Sequence, residues 1–159
     1  MRKYCQILVA RFIAWGCFVL PLTPTSALAA ATPSVKAACR IEIDNPHLST
    51  SQYEKNLTNY VKVNARSICN TYQSSVSLTV QIYKIGFLQN HLVAQSTTKP
   101  NNWNLNSYKV ENKDTLQKCT SGKRTTYFGI AFSKAMIGGK WQYAGRTRSR
   151  NSIPLKCGT

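Results

Sequence analysis

Residues 76–85 read Val-Ser-Leu-Thr-Val-Gln-Ile-Tyr-Lys-Ile, and this run constrains the fold more than any other stretch of the chain. Val76, Leu78, Val80 and Ile82 share one parity while Ser77, Thr79, Gln81 and Tyr83 share the other. A period of two puts successive side chains on opposite faces of a strand. A helix would spread the same apolar residues around its circumference. The segment therefore predicts a central strand with one buried face, and the other segments must pair with it or pack on it.

Several do alternate. In residues 39–44, Cys39, Ile41 and Ile43 oppose Arg40, Glu42 and Asp44, and Asn45-Pro46 ends the run because proline lacks a ladder donor. In residues 60–69, Val61, Val63, Ala65 and Cys69 form the inner set and Lys62, Asn64 and Arg66 the outer one. Gly86 breaks the central strand and predicts a hairpin or a bend into a second sheet, with Leu88, Leu92 and Ala94 on one side of the returning segment. Residues 125–133 read as a strand with Phe128, Ile130 and Phe132 inward and Tyr127, Gly129 and Ala131 outward. Residues 140–149 set Trp141 and Tyr143 against Gln142, Ala144, Arg146 and Arg148, with Gly138-Gly139 as the hairpin tip between the two strands.

The remaining segments carry weaker signals. Ser51 and Glu54 match a capping box for one or two helical turns, with Tyr53 and Leu57 on one side. Residues 99–106 read as an Asn-rich surface loop from which Trp103 and Leu105 tuck back on the core. The thin apolar content of Tyr108, Val110 and Leu116 predicts at most one short strand there. Six or seven short strands and no long helix point to an all-β antiparallel sandwich of immunoglobulin-like architecture, with a small closed barrel as the alternative.

The N-terminus has the charged, apolar and small-residue order of a secretory signal peptide over residues 1–29: Arg2 and Lys3, then the apolar residues 12–22, then Ala27-Leu28-Ala29. Cleavage is expected after Ala29 or Ala31. The apolar run is well short of the roughly 20 residues that cross a bilayer, and Arg11 bars its extension, so no transmembrane segment is expected after cleavage. Residues 30–38 then form a flexible leader and residues 39–159 a single domain. Of the 159 residues, 130 remain without the signal, enough for one core and too few for two.

Cys5 and Cys17 leave with the signal, and Cys39, Cys69, Cys119 and Cys157 stay. An even count in an exported chain reads as two disulfides, for which three connectivities exist. If the first two strands are antiparallel neighbours, Cys39 at the start of one lies beside Cys69 at the end of the other. The later hairpin likewise brings Cys119 before it near Cys157 after it. The sequential pairing 39–69 and 119–157 is therefore expected. No C-x-x-C pair is present, so neither a metal site nor a cofactor is expected.

Lys and Arg number 21 against five Asp and Glu; three of the basic residues leave with the signal, giving a net charge of +13. Such a field attracts cell-wall polymer, lipid headgroups and nucleic acid alike. Arg146, Arg148 and Arg150 alternate, which on a strand places three guanidinium groups about 7 Å apart on one face. Their forks match phosphate or carboxylate oxygens, and Lys123 and Arg124 across the hairpin would widen the patch. The plainer reading is an edge strand whose charges block aggregation. Tyr72, Tyr83, Trp103, Tyr127 and Trp141 lie near basic residues, as aromatics that stack on bases or sugars do, although Trp103 and Trp141 also suit a core.

His47 and His91 are the only imidazoles, and a secreted basic nuclease would need them at one phosphate. No G-x-S-x-G is present, and five acids leave few carboxylate pairs, so no catalytic residue is assigned. Asn56-Leu57-Thr58 fits the glycosylation sequon. The expectation is a secreted, non-enzymatic binding or interaction module for an anionic polymer or surface. A nuclease using His47 or His91, and a toxin or inhibitor with a protein partner, are the alternatives.

Pro46-His47-Leu48-Ser49, then Val61 and Val63 before Cys69, then residues 76–84 with Gly86, then Cys119-Thr120-Ser121-Gly122 before Tyr127 and Gly129, and finally Cys157, form a pattern over most of the domain. It resembles a group of functionally uncharacterised small secreted proteins of Gram-positive bacteria, mainly actinobacteria. The resemblance implies an exported, disulfide-held β domain and no activity. The heavy Lys/Arg load and the Asn-rich middle depart from it.

Overall fold

The strand predicted around residues 76–85 lies inside one of two antiparallel sheets. The structure, a computed structural model, describes residues 38–99 and 107–159. The segments expected to be a signal peptide and, but for Ala38, a leader, and the expected lid residues Trp103 and Leu105, fall outside those residues. In chain order the elements are β1 (Cys39–Ile43), β2 (His47–Leu48), α1 (Thr50–Asn56), β3 (Tyr60–Gln73), β4 (Ser75–Ile85), β5 (Asn90–Thr98), β6 (Ser107–Lys118), β7 (Ser121–Ile137), β8 (Lys140–Arg148) and β9 (Ile153–Gly158).

In the first sheet β3 is central, with β1 and β2 along one edge and β6 along the other. The second has the order β5-β4-β7, with β8 and β9 placed end to end along the far edge of β7. Ser74 alone separates β3 from β4, so the chain steps from one sheet to the other within a residue. Its amide and hydroxyl both donate to Met136 O, at 3.0 and 3.1 Å, which ties the step to the second sheet.

The inner faces meet as the alternation requires. Val61, Val63 and Ala65 of β3 pack on Val80 and Ile82 of β4 and on Tyr127 and Ala131 of β7. Cys69 and Val110 meet Val76, Leu78, Ala135 and Ile137 at the other end. A polar layer is buried between them and is satisfied internally: the hydroxyls of Ser67 and Ser133 meet at 3.2 Å, and Asn112 Nδ2 donates to Leu78 O at 3.3 Å. Both expected disulfides are present, Cys39–Cys69 and Cys119–Cys157. Cys39 and Cys69 are register partners in β1 and β3, so that bridge follows from the pairing itself. Disulfides persist in oxidising compartments, which gives the domain an oxidising, extracellular type of environment.

Several expectations are corrected. Nine strands rather than six or seven are present among the described residues, and β3 and β7 are long, at 14 and 17 residues. The segment expected to hold at most one short strand is the 12-residue β6. Of its inward positions only Val110 is a large apolar group; Asn112 and Thr115 are polar, and hydrogen bonds to Ser96 of β5 hold them in place of apolar packing. Periodicity of apolar residues is blind to such a strand. The N-cap of α1 is Ser49, whose Oγ accepts from the Gln52 amide at 3.4 Å, not Ser51. Leu88 and Leu92 are exposed rather than inward: Leu88 lies in the turn between β4 and β5, and at Leu92 a register shift after Ile82 turns Val93 and Ala94 toward the core instead.

The largest correction concerns β7. Tyr127, Gly129, Ala131, Ser133, Ala135 and Ile137 form its inner set, and Phe128, Ile130 and Phe132 its outer one, the reverse of expectation. The two sheets approach closely at Gly129, where an added Cβ would lie 2.7 Å from Val63 Cγ1 and 3.0 Å from Ile43 Cδ1. Small residues are needed on that side, which leaves the phenylalanines on the outer face of the sheet, where Phe128 is nevertheless buried, covered by Tyr83 and Arg148. Gly138 and Gly139, at φ 54° and 75°, form the expected hairpin tip, a left-handed turn that suits the strand twist.

Candidate cation–aromatic face

The outer face of the second sheet is built by two local events. The first is the reversal in β7, which presents Phe128, Ile130, Phe132 and Lys134 outward. The second is a bulge in β8: Ala131 pairs with Thr147 but Ser133 pairs with Ala144, so two residues, Gly145 and Arg146, stand opposite Phe132. An extra residue in one strand changes the parity of everything beyond it. Trp141 and Tyr143 therefore share a face with Arg146 and Arg148, although strict alternation sets them apart.

The guanidinium groups lie on the phenyl rings. Arg148 Cζ is 3.9 Å from the Phe128 ring centroid and Arg146 Cζ is 5.3 Å from that of Phe132. Lys134 Nζ stands 4.9 Å from the Trp141 ring. Each such contact contributes about 0.5–1 kcal/mol at an exposed site. Tyr83 of β4 stacks on Phe128 with centroids 5.2 Å apart and planes 7° from parallel, which widens the platform. Arg146 Nη2 also donates to Gln81 Oε1 at 3.5 Å, and Arg148 Nη2 to Ser152 Oγ at 3.0 Å. A guanidinium over a ring still has N–H groups for oxygen acceptors. Between β4, β7 and β8 lies a depression of about 190 Å³ lined by Ser77, Thr79, Phe132, Lys134 and Tyr143.

Charge is divided unequally between the sheets. The strands of the second carry Lys84, Lys123, Arg124, Lys134, Lys140, Arg146, Arg148 and Lys156 and no Asp or Glu. On the first, Glu42 bridges Arg40 and Arg66 at 3.1 and 2.7 Å, Asp44 meets Arg66 at 3.5 Å, and Glu111 bridges Lys109 and Lys113 at 3.0 and 2.6 Å. Hydrogen bonds from Lys113 and Lys109 hold the Glu111 carboxyl down at about 2. The first sheet thus pairs several of its cations with acids, while the second presents a single sign.

Not all of the expected site residues come together. Arg146 and Arg148 do. Arg150 lies beyond the end of β8, in the bend before β9, so it does not extend the strand stripe. Lys123 and Arg124 do not face β8: Arg124 pairs with Lys156 of β9, six residues or about 20 Å along β7 from the partner of Arg148. They line a separate cavity. His47 is on β2 of the first sheet and His91 on β5 of the second, so the fold does not place them in one sheet. Trp141 is exposed rather than core, Tyr127 is buried, and Tyr72 is paired with Tyr108 at 4.2 Å. Among the described residues no cluster of metal-ligating side chains occurs.

Phe128, Phe132, Lys134 and Tyr143 were not singled out as site residues from the sequence, whereas Tyr83 was, as an aromatic near basic residues. A cue existed. Gly129, Ala131, Ser133 and Ala135 alternate with Phe128, Ile130, Phe132 and Lys134, and a strand with small residues at every second position packs that side closely against another sheet. The protein is defined by this fold and face as a disulfide-bonded antiparallel β-sandwich with one sheet that carries ion pairs and one cationic sheet, without acids on its strands, that bears aromatics. No known family model matches the chain, and no curated protein matches it.

Proposed function

We propose that this is a secreted, non-enzymatic binding module that associates with an anionic polymer or surface through the outer face of the second sheet. One observation carries the reading: on a sheet without carboxylates, Arg148 and Arg146 lie on Phe128 and Phe132 beside the exposed Trp141 and Tyr143. Cations that only solvate an edge need no such support. Here the rings help to hold the guanidinium groups in place before a ligand arrives, so less ordering is required on binding. The paired forks take phosphate or carboxylate oxygens, and the exposed rings stack on planar or sugar faces.

The test is retention on an immobilised single-stranded oligonucleotide, a polyanion of defined charge, as a function of salt. Arg146→Gln/Arg148→Gln is expected to reduce the slope of log affinity against log salt by about 1.4, at about 0.7 for each phosphate that is no longer neutralised. Arg150→Gln alone is expected to change it by less than half as much. Unchanged retention in the double variant would show that this face does not bind the polymer.

A further inference from the structure

The β4–β5 hairpin tip joins two features that the cation–aromatic face does not use. Phe87 and Leu88 at the tip are 102% and 91% exposed, and Ile85 and Leu92 beside them are also exposed. An aromatic and a leucine adjacent in sequence and both in water at a hairpin tip form a compact apolar wedge. The turn is closed tightly at its base. A Cβ added at Gly86 would collide with Gln89 O and come within 3.0 Å of the His91 ring.

Beside this wedge is a cavity of about 460 Å³ lined by Lys84, Ile85, Ser121, Lys123, Arg124 and Thr125, among others. The register explains the placement. Lys84 pairs with Tyr127, so β7 traced backward from Tyr127 brings Thr125 and Arg124 level with the tip. Three cations and several hydroxyls converge there on a sheet that has no acids. Lys84 also donates to Thr159 O, which holds its stem against the cavity wall.

We propose that this end of the sandwich docks on an anionic lipid bilayer, with headgroup phosphate in the Lys84–Lys123–Arg124 cavity and Phe87 and Leu88 in the acyl boundary. Both features lie at one end of the domain, so one orientation satisfies both. A soluble polyanion gives the exposed Phe87 and Leu88 nothing to bury against, and a neutral membrane gives the three cations nothing to neutralise. An anionic bilayer rewards both, since apolar burial and surface charge add in interfacial binding. The site is distinct from the cation–aromatic face and does not depend on it.

The experiment is co-sedimentation of the oxidised protein with vesicles of equimolar phosphatidylcholine and phosphatidylglycerol, compared with phosphatidylcholine alone. Binding is expected only to the anionic vesicles. Phe87→Ser/Leu88→Ser is expected to lower the partition coefficient at least about tenfold. Lys123→Gln/Arg124→Gln is expected to lower it several-fold and to flatten its salt dependence. In a Phe87→Trp variant the introduced tryptophan is expected to shift to the blue and to be quenched by brominated acyl chains beyond the wild-type level. Equal sedimentation of the Ser variant, an unquenched tryptophan, or equal binding to neutral vesicles overturns the proposal; the last two outcomes leave a protein partner or non-specific adhesion as the use of the tip. Arg146→Gln/Arg148→Gln is expected to leave the quenching intact, and Phe87→Ser/Leu88→Ser to leave oligonucleotide retention intact. Each site can therefore fail without the other.

Discussion

Replacing Gly129 by alanine tests the packing that sets which side of β7 faces outward and so the cation–aromatic face. The added methyl would sit 2.7 Å from Val63 Cγ1, 3.3 Å from Val63 Cγ2 and 3.0 Å from Ile43 Cδ1. Favourable carbon–carbon separations begin near 3.5 Å, so the shortest overlap is about 0.8 Å. Relief is restricted, because Val63 is fully buried in β3, and β1, which carries Ile43, is bridged to β3 through Cys39–Cys69. Overpacking of this kind costs about 1–3 kcal/mol, while loss of glycine freedom in the unfolded chain returns about 0.4–1 kcal/mol. A net destabilisation of about 1–2 kcal/mol is expected. The measurement is urea denaturation of the oxidised protein, read as a lower midpoint at constant m value. Val63→Ala removes two of the three clashing atoms, so the double variant is expected to lose at least about 1 kcal/mol less than the sum of the singles. If Gly129 faced outward, alanine in an exposed strand would instead stabilise by about 0.5–1 kcal/mol. A neutral or stabilising Gly129→Ala, or strict additivity with Val63→Ala, would refute the reasoning.

Two further outcomes are expected. Cys119→Ser/Cys157→Ser opens a loop with a sequence separation of 38 and is expected to lower stability by about 2–4 kcal/mol in urea denaturation, with a loss under about 1 kcal/mol counting against it. The Glu111 carboxyl, held at about 2 by Lys113 first and Lys109 second, binds fewer protons folded than unfolded. Its contribution to stability is thus present above the ordinary carboxylate value near 4.5 and is lost as pH falls toward 2. Lys113→Met is expected to move the Glu111 titration upward by carboxyl-carbon NMR, and high salt to do the same in the wild type; an unmoved midpoint would contradict the pairing.

Much of the framework was legible because the apolar residues of β3, β4 and β1 obey a period of two and mark the core side, even where β4 also covers Thr79 and Gln81 on its other face. Val61, Val63 and Ala65, and Val76, Leu78, Val80 and Ile82, sit where alternation puts them. Antiparallel pairing then brought both disulfides with it. Legibility failed where the larger apolar residues lie on the outer face or the interior positions are polar. In β6 the inward Asn112 and Thr115 give no apolar signal, and in β7 the apolar residues of greatest size mark the wrong side. The candidate face shared this fate: Arg146 and Arg148 were visible in the sequence, but their supporting rings and the company of Trp141 and Tyr143 were not.

Composition and alternation alone determined a basic chain of antiparallel strands with four paired cysteines, because charge and side-chain parity are properties of the residues themselves. Which side of β7 faces the core, and which aromatics join the arginines, was decided only in three dimensions. The distance between two sheets excludes a side chain at Gly129, and one extra residue opposite Phe132 reverses the parity of β8. Both are relations between strands far apart in sequence, and no local pattern contains them.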